Sequence, residues 1–454
     1  MGQQDGVAIA ALVLLVFSVL LGGASRQHEL RLALVELSAL PLLVLAGLRL
    51  LKQDDLSHHK FAFWLVAGTV ALPLLQLIPL PPGIWTALPG RDQSALALDV
   101  IGLAPGWLPL SLTPDKTWNA FLALLPPVAM FLGVLAVRPA GTGRLNQALL
   151  GFIIASIMLG AAQVASGGDS LYPWATTSPG NVTGFFANRN HLATLCLIGL
   201  PFAVVLAAGG LHRQTSNAQL SLWLGVLYIA LTVIALGVIR SRIGIILFGP
   251  ILGASLLAAW VAVGRGRPKP ALLALAGGAG LAIAAVGAFA LAPLVARFDT
   301  QGAREGRFEN WPIVAEAADA HLPVGAGLGS FDTVFRSVEP LDRLDFTYFN
   351  QAHNDYLELW LETGWLGAAL LAAFLIWFGR RAWSAWRARA GRAYDLQRAA
   401  TIGIAAILLH SAGDYPLRTV TLATILALCC GLLELAQRGD AERSPARTRR
   451  RVYT

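Results

Sequence analysis

The sequence predicts an all-α polytopic membrane protein with one long, partly helical loop on the outer face, and hydropathy places about 12 transmembrane helices. Three observations predict this class. The 454 residues are 56% hydrophobic and 13% charged, with a mean hydropathy of +0.62. A soluble protein carries about 25% charged residues. Apolar runs near the length of about 20 residues that crosses a hydrocarbon core recur along the whole chain. The formal charge is +8, but the basic residues lie between apolar runs and at the C-terminus, which argues against a nucleic-acid groove.

The expected spans lie at 7–24, 30–50, 62–80, 117–137, 146–166, 190–210, 220–239, 243–263, 271–295, 354–379, 398–413 and 418–437. The first run has no basic region ahead of it, so it reads as a retained helix and not a cleaved signal. Residues 220–263 are almost continuously apolar. As one helix they would run about 66 Å, twice the bilayer core. The chain must turn back, and the polar break Arg240-Ser241-Arg242 marks the turn.

Orientation follows from Lys and Arg. With the N-terminus cytoplasmic, most of the 34 Lys and Arg fall in inside segments. Both termini are then cytoplasmic. Residues 1–295 carry spans one to nine, 296–352 form a periplasmic loop, 353–437 carry the last three spans, and 438–454 make a basic tail facing the membrane. Cys196, Cys429 and Cys430 all lie in apolar segments, without metal-ligand spacing. In the loop, Pro312 fits the first turn of a helix ending near His321. The string Gly325-Ala-Gly-Leu-Gly-Ser330 is not a dinucleotide fingerprint, because no strand precedes it and it lies outside the cytosol.

Chemistry-bearing residues gather on the outer side. His353 stands at the mouth of span ten, where a titratable ring suits a general base or a hydrogen-bond donor. If the helix starts near it, Leu357, Trp360, Gly364 and Gly367 share its face, and Asp355, Glu358 and Glu362 point away. Arg189, Arg240, Arg242 and Arg307 lie close to hydrocarbon, where arginine has a partner or a task. A planar guanidinium fork suits diphosphate oxygens. Snorkelling remains the plain reading of Arg240 or Arg242. His410 and Asp414 are spaced i, i+4, as a structural hydrogen bond or a proton relay. His191 reads as a cap or an arginine neighbour, and His58, His59, His212 and His321 as loop or helix-end residues. No motif supports nucleotide hydrolysis, zinc or a serine nucleophile.

Six stretches carry a resemblance: GFFANRNHLA (184–193), SRIG (241–244), GRFENW (306–311), PVGAGLGSF (323–331), HNDYLELWLETGWLG (353–367) and LLHSAGDYPLR (408–418). Over roughly its second half the chain resembles the O-antigen ligase family and its related polysaccharide polymerases. The resemblance implies a GT-C-like glycosyltransferase architecture in the bacterial inner membrane, with the active site facing the periplasm. It implies transfer of a glycan from undecaprenyl diphosphate to a sugar acceptor, the lipid A core in a ligase, without cofactor or metal. His353 then looks like the residue that activates the acceptor hydroxyl or assists the leaving diphosphate. Arg189, Arg242 and Arg307 look like diphosphate or sugar contacts, joined by Asn190, Asn354 and Asp414. Arg240 competes with Arg242, and Arg297 and Arg304 compete with Arg307.

The chemistry stands without the family as well. A lipid diphosphate is an activated donor, so positioning and charge stabilisation suffice. A polymerase of lipid-linked repeat units uses the same parts, and the extended first half, with QLIPLPPGIW (76–85) and PLSLTPDKTW (109–118), keeps that alternative open. A secondary transporter would line a path with intramembrane charges; here the charges cluster at one face and no inverted repeat is evident.

Overall fold

A computed structural model describes residues 3–25, 29–53, 56–137, 139–166, 171–174, 181–212, 217–263, 273, 275–281, 283–284, 306–344, 349–388 and 391–435. Most of the expected ninth span, loop residues Arg297 and Arg304, and the basic tail lie outside these residues, as does the Arg307 side chain.

The chain is a helical, multi-pass membrane protein. The apolar runs give helices, several with an internal proline: α1 (Gln3–Leu21), α2 (Glu29–Leu50), α3 (Lys60–Gln76), α6 (Pro114–Leu122), α7 (Leu125–Ala136), α8 (Pro139–Ser166), α9 (Arg189–His212), α10 (Ala218–Ile239), α11 (Arg242–Ala262), α14 (Asp355–Arg387), α15 (Arg392–Ser411) and α16 (Val420–Glu434). Between α3 and α6 lies an arm of β1 (Pro79–Leu80), α4 (Pro82–Trp85), α5 (Asp92–Val100) and β2 (Leu108–Pro109). β1 and β2 pair antiparallel, Pro79 opposite Pro109. The outer layer adds α12 (Gly306–Asp319) and α13 (Phe331–Val338).

Among the described residues, seven helical stretches are long and apolar enough to cross a membrane: Leu30–Leu50, Pro114–Ala136, Gly141–Ser166, Arg189–Gly209, Ala218–Ile239, Arg242–Ala262 and Asp355–Arg387. Gly6–Leu21 and Val420–Glu434 are shorter apolar helices. The pillar of the bundle is α9, whose most apolar window is 94% buried; α10, α11 and α15 all pack on it.

The expected reversal inside 220–263 is present. Arg240 takes the left-handed conformation at φ +55°, and its N–H bonds Leu236 O at 3.0 Å, which closes α10. Ser241 then caps α11, its Oγ accepting the Gly244 N–H at 3.2 Å. At another end of the bundle, Glu434 is buried and accepts from Trp377 Nε1 at 2.7 Å and Arg381 Nε at 2.8 Å. His59 Nδ1 lies 2.7 Å from the same carboxylate. His59, expected as a plain helix-end residue, thus ties α3 to α14 and α16.

The outer layer has its own core of Val314, Ala318, Phe331, Phe335, Ala352 and Leu361. Its first helix begins at Gly306, so Pro312 sits mid-helix and not in the first turn as expected. The reason is local: the residues ahead of Pro312 can wind, and only the Leu322-Pro323 stretch stops the helix.

Helix α14 contains a break. Gly364 takes φ +54° and ψ −143°, far from helical values. A Cβ there would meet the Pro323 carbonyl oxygen, and Trp365 N–H bonds that same oxygen at 3.0 Å. Glycine is therefore required where the outer layer presses on the helix. Ahead of the break, Leu357, Trp360 and Leu361 pack in the core of the outer layer.

Candidate active site

His353 lies one residue outside α14. Asn354 is the N-cap, its Oδ1 accepting the N–H groups of Tyr356 at 3.0 Å and Leu357 at 3.2 Å, while its Nδ2 donates to Ala412 O at 3.2 Å. His353 itself takes φ +52°, a backbone state uncommon for a residue with a Cβ and found where strain serves a site. The expectation that His353 shares a helix face with Leu357, Trp360, Gly364 and Gly367 is therefore corrected. Asn354 starts the helix after the histidine, and Gly364 breaks its phase before Gly367.

Aromatic rings fix the imidazole. Phe349 stacks on it at 5.3 Å between centroids, and Tyr415 meets it edge-on at 4.8 Å. Nδ1 lies 2.9 Å from Gln351 O. A carbonyl only accepts, so Nδ1 carries the proton in the neutral ring and Nε2 is the basic nitrogen. Tyr415 continues to His191, also edge-on at 5.1 Å, and His191 to Phe186 at 6.1 Å. His191 is 1% exposed. Burial, with Asp414 beside it, holds the Tyr415 phenol above its ordinary pKa, so it stays protonated.

The sequence-predicted residues meet here in part. Asn190, in the first turn of α9, donates from Nδ2 to Asp414 Oδ2. Asp414 is fully buried and takes the Tyr415 N–H on Oδ1 at 2.9 Å. Arg189 Nη1 donates to Asn181 Oδ1 at 2.8 Å. Arg242 opens α11, whose next residue, Ile243, packs against Gly413. Arg307 lies in the first turn of α12; four residues on, Trp311 Nε1 donates to Ala352 O at 2.9 Å, beside His353. His410 Nδ1 lies 3.0 Å from Thr194 Oγ1, and its backbone carbonyl receives the Asp414 N–H at 3.0 Å. Arg189, Asn190, Asp414, His353 and the Arg242 turn are therefore grouped at one end of the bundle. Asn354 is committed to capping.

Sequence reasoning missed a second group. Asp355, Glu358 and Glu362, spaced i, i+3, i+7, share a face and converge on Arg418. Arg418 Nη2 is 2.9 Å from Glu362 Oε2, and its Nε is 3.2 Å from Glu358 Oε1 and 3.9 Å from Asp355 Oδ1. Burial opposes the charge of Arg418, but Glu358, Glu362 and Asp355 outweigh it and hold the guanidinium above its ordinary pKa. The same acids position the site. Glu358 Oε2 accepts the Ala352 N–H at 2.9 Å, next to His353. Glu362 Oε1 accepts from Gly329 N–H at 2.9 Å. The glycine string, with positive φ at Gly325, Gly327 and Gly329, thus wraps the acid helix. The usable signal was the acid stripe itself, since three acids on one buried face demand a cation, and LLHSAGDYPLR supplied it.

A cavity of about 770 Å³ opens beside this group. Arg418, Glu358, Glu362, Lys116, Asn119 and Gln351 line its polar end, and Leu65, Leu72, Leu124, Leu371 and Phe374 its apolar trough.

Residues 225–372 match the family model described as O-antigen ligase. Over this segment the chain is similar to the O-antigen ligase family. Family members are membrane ligases or polymerases. The matched segment of the O-antigen ligase model holds the Arg240–Arg242 turn, the outer layer and His353. Arg189, Asn190, Asp414 and Arg418 lie outside it and reach the site through α9 and the α15–α16 connection. No curated protein matches the chain.

Proposed function

We propose that the chain transfers a glycan from undecaprenyl diphosphate to a sugar acceptor, the lipid A core, at the periplasmic face of the inner membrane. One observation supports the reading: His353, held at positive φ at a helix mouth, lies in a segment that matches the O-antigen ligase model. His353 Nε2 takes the proton of the acceptor hydroxyl. That oxygen forms the bond to the anomeric carbon of the glycan. The anomeric carbon–phosphate oxygen bond breaks, and the lipid diphosphate leaves with the electron pair. Arg189 and Arg242, with Arg307 on α12, stabilise the departing charge, since arginine does not titrate near neutrality. Asn190, held by Asp414, contacts the donor sugar. Asn354 acts by fixing where the helix starts. The donor's tail stays in the bilayer, which explains a reactive histidine at headgroup depth.

Deleting the gene and sizing the glycans on lipid A and on undecaprenyl diphosphate tests this. Long chains stranded on the carrier with bare lipid A core are the expected result. A polymerase of lipid-linked repeat units would instead leave single units on lipid A, or remove a long polymer while the core-linked glycan stays normal.

A further inference from the structure

The arm between α3 and α6 presents an apolar surface that no described residue covers. Residues 100–110 read Val-Ile-Gly-Leu-Ala-Pro-Gly-Trp-Leu-Pro-Leu, without a charged, amide or hydroxyl side chain. Residues 100–108 are all exposed, with Val100 at 76%, Ile101 at 65%, Leu103 at 57% and Trp107 at 66%. Helix α5, which leads into them, has no buried residue. Contiguous exposed apolar surface of this kind marks a contact with a protein or a membrane.

The arm is fastened at its base. Trp85 is buried and donates from Nε1 to Gly106 O at 2.8 Å. Arg91 is buried as well and donates from Nη2 to Leu110 O at 2.6 Å and to Gly325 O at 2.9 Å. The Leu112 N–H bonds Ala326 O at 2.9 Å. The arm therefore moves with the outer layer and holds the 100–108 stretch in a fixed place.

That place is the membrane boundary. β1 starts at Pro79, just after α3 ends at Gln76, and the apolar span Pro114–Ala136 starts just after β2 ends at Pro109. Exposed apolar residues run on from the end of α3, at Leu74, Leu75 and Ile78, to Ile84 and Leu108 on the arm. The lipid-facing surface of the bundle thus continues onto the arm. A protein partner would need about one hydrogen bond per 100–200 Å² to fix its register, and these side chains supply almost none. Hydrocarbon asks for none. The backbone is suited to the same surroundings. The N–H groups of Gly102 and Leu103 bond Asp99 O and Leu98 O, both at 2.9 Å, the Gly106 carbonyl receives Trp85, and Pro105 and Pro109 have no N–H. Between Gln76 and Lys116 the one cation is the buried Arg91, so attachment needs apolar area and no anionic headgroup.

We infer that residues 100–108 are a membrane-interface anchor, inserted into the leaflet on the side of the outer layer, with Trp107 at headgroup depth. Through Arg91 on Gly325 and Leu112 on Ala326, the anchor fixes the height of the glycine string, and of the acid helix it wraps, relative to the bilayer. The contact takes part in no step of the proposed transfer and stands or falls separately from it.

The test places a nitroxide on Ile101→Cys or Leu103→Cys in the full chain, in nanodiscs of phosphatidylcholine alone. Both sites are more than half exposed, so a label fits without repacking. Cys196, Cys429 and Cys430 are buried, and the parent chain treated with the label gives the background. Trp64→Cys, exposed on α3, is the lipid reference, and Asp342→Cys, exposed in the outer layer, is the water reference. Power-saturation spectra compare collisions with oxygen, which concentrates in hydrocarbon, and with a water-soluble nickel chelate. Both arm sites should give an oxygen-to-nickel ratio several-fold above that of Asp342→Cys and near that of Trp64→Cys. Nickel collisions as frequent as at Asp342→Cys would put the stretch in water. Shielding from both reagents would put a protein surface on it, such as a second copy of the chain. Either result overturns the inference.

Discussion

At the scale of single residues, His353 is held from three directions, by Phe349, Tyr415 and the Gln351 carbonyl. Removing a general base costs about 100- to 10,000-fold in rate, so His353→Ala should show that loss at unchanged protein level in a transfer assay. Tyr415 tests whether the ring or the hydroxyl matters. Tyr415→Phe keeps both edge-on contacts and should retain most activity, whereas Tyr415→Ala frees His191 and His353 together and should not; equal loss in both would assign the hydroxyl a chemical role instead. The place of His353 at a helix mouth was legible in the sequence, because a polar cluster there abuts an apolar run. Its conformation was not, because φ +52° depends on Asn354 capping the next turn. Arg418 was illegible for a different reason. Its partners sit about 60 residues away, and only the fold brings Asp355, Glu358 and Glu362 to it.

At the scale of elements, α14 is two pieces welded at Gly364. Any side chain there requires a backbone state that only glycine adopts readily and meets Pro323. Gly364→Ala should cost about 1–3 kcal/mol, read as a lower thermal midpoint of the purified protein. Arg418→Gln leaves three acids without their cation and should cost about 3–5 kcal/mol. Adding Glu358→Gln to Arg418→Gln should recover part of that loss, as removing one stranded charge relieves the other two; a double variant worse than the single would mean that the Glu358–Ala352 hydrogen bond dominates. Periodicity and breakers located α9, α10 and α11 within a few residues, because hydrocarbon-length runs admit one solution. They misplaced the start of the 306–319 helix, since a proline tolerated mid-helix gives no distinct signal.

At the scale of the whole molecule, a bundle built on buried α9 carries an outer layer with its own core. The composition made the membrane class legible. The cavity of about 770 Å³ was not, because a cavity has no sequence pattern. The proposed topology puts both termini in the cytoplasm. Alkaline phosphatase fused after Glu434 should therefore be inactive in cells and a fluorescent protein at the same place bright; the reverse pair would invert the orientation and move His353 to the wrong face for a periplasmic reaction.

The most direct measurement is made with purified protein in nanodiscs, supplied with undecaprenyl-diphosphate-linked glycan and lipid A core. Glycan joined to the core with stoichiometric release of undecaprenyl diphosphate, abolished by His353→Ala, is the predicted result. Release that proceeds equally in the His353→Ala protein, or no consumption of the lipid-linked donor by the folded wild type, would contradict it.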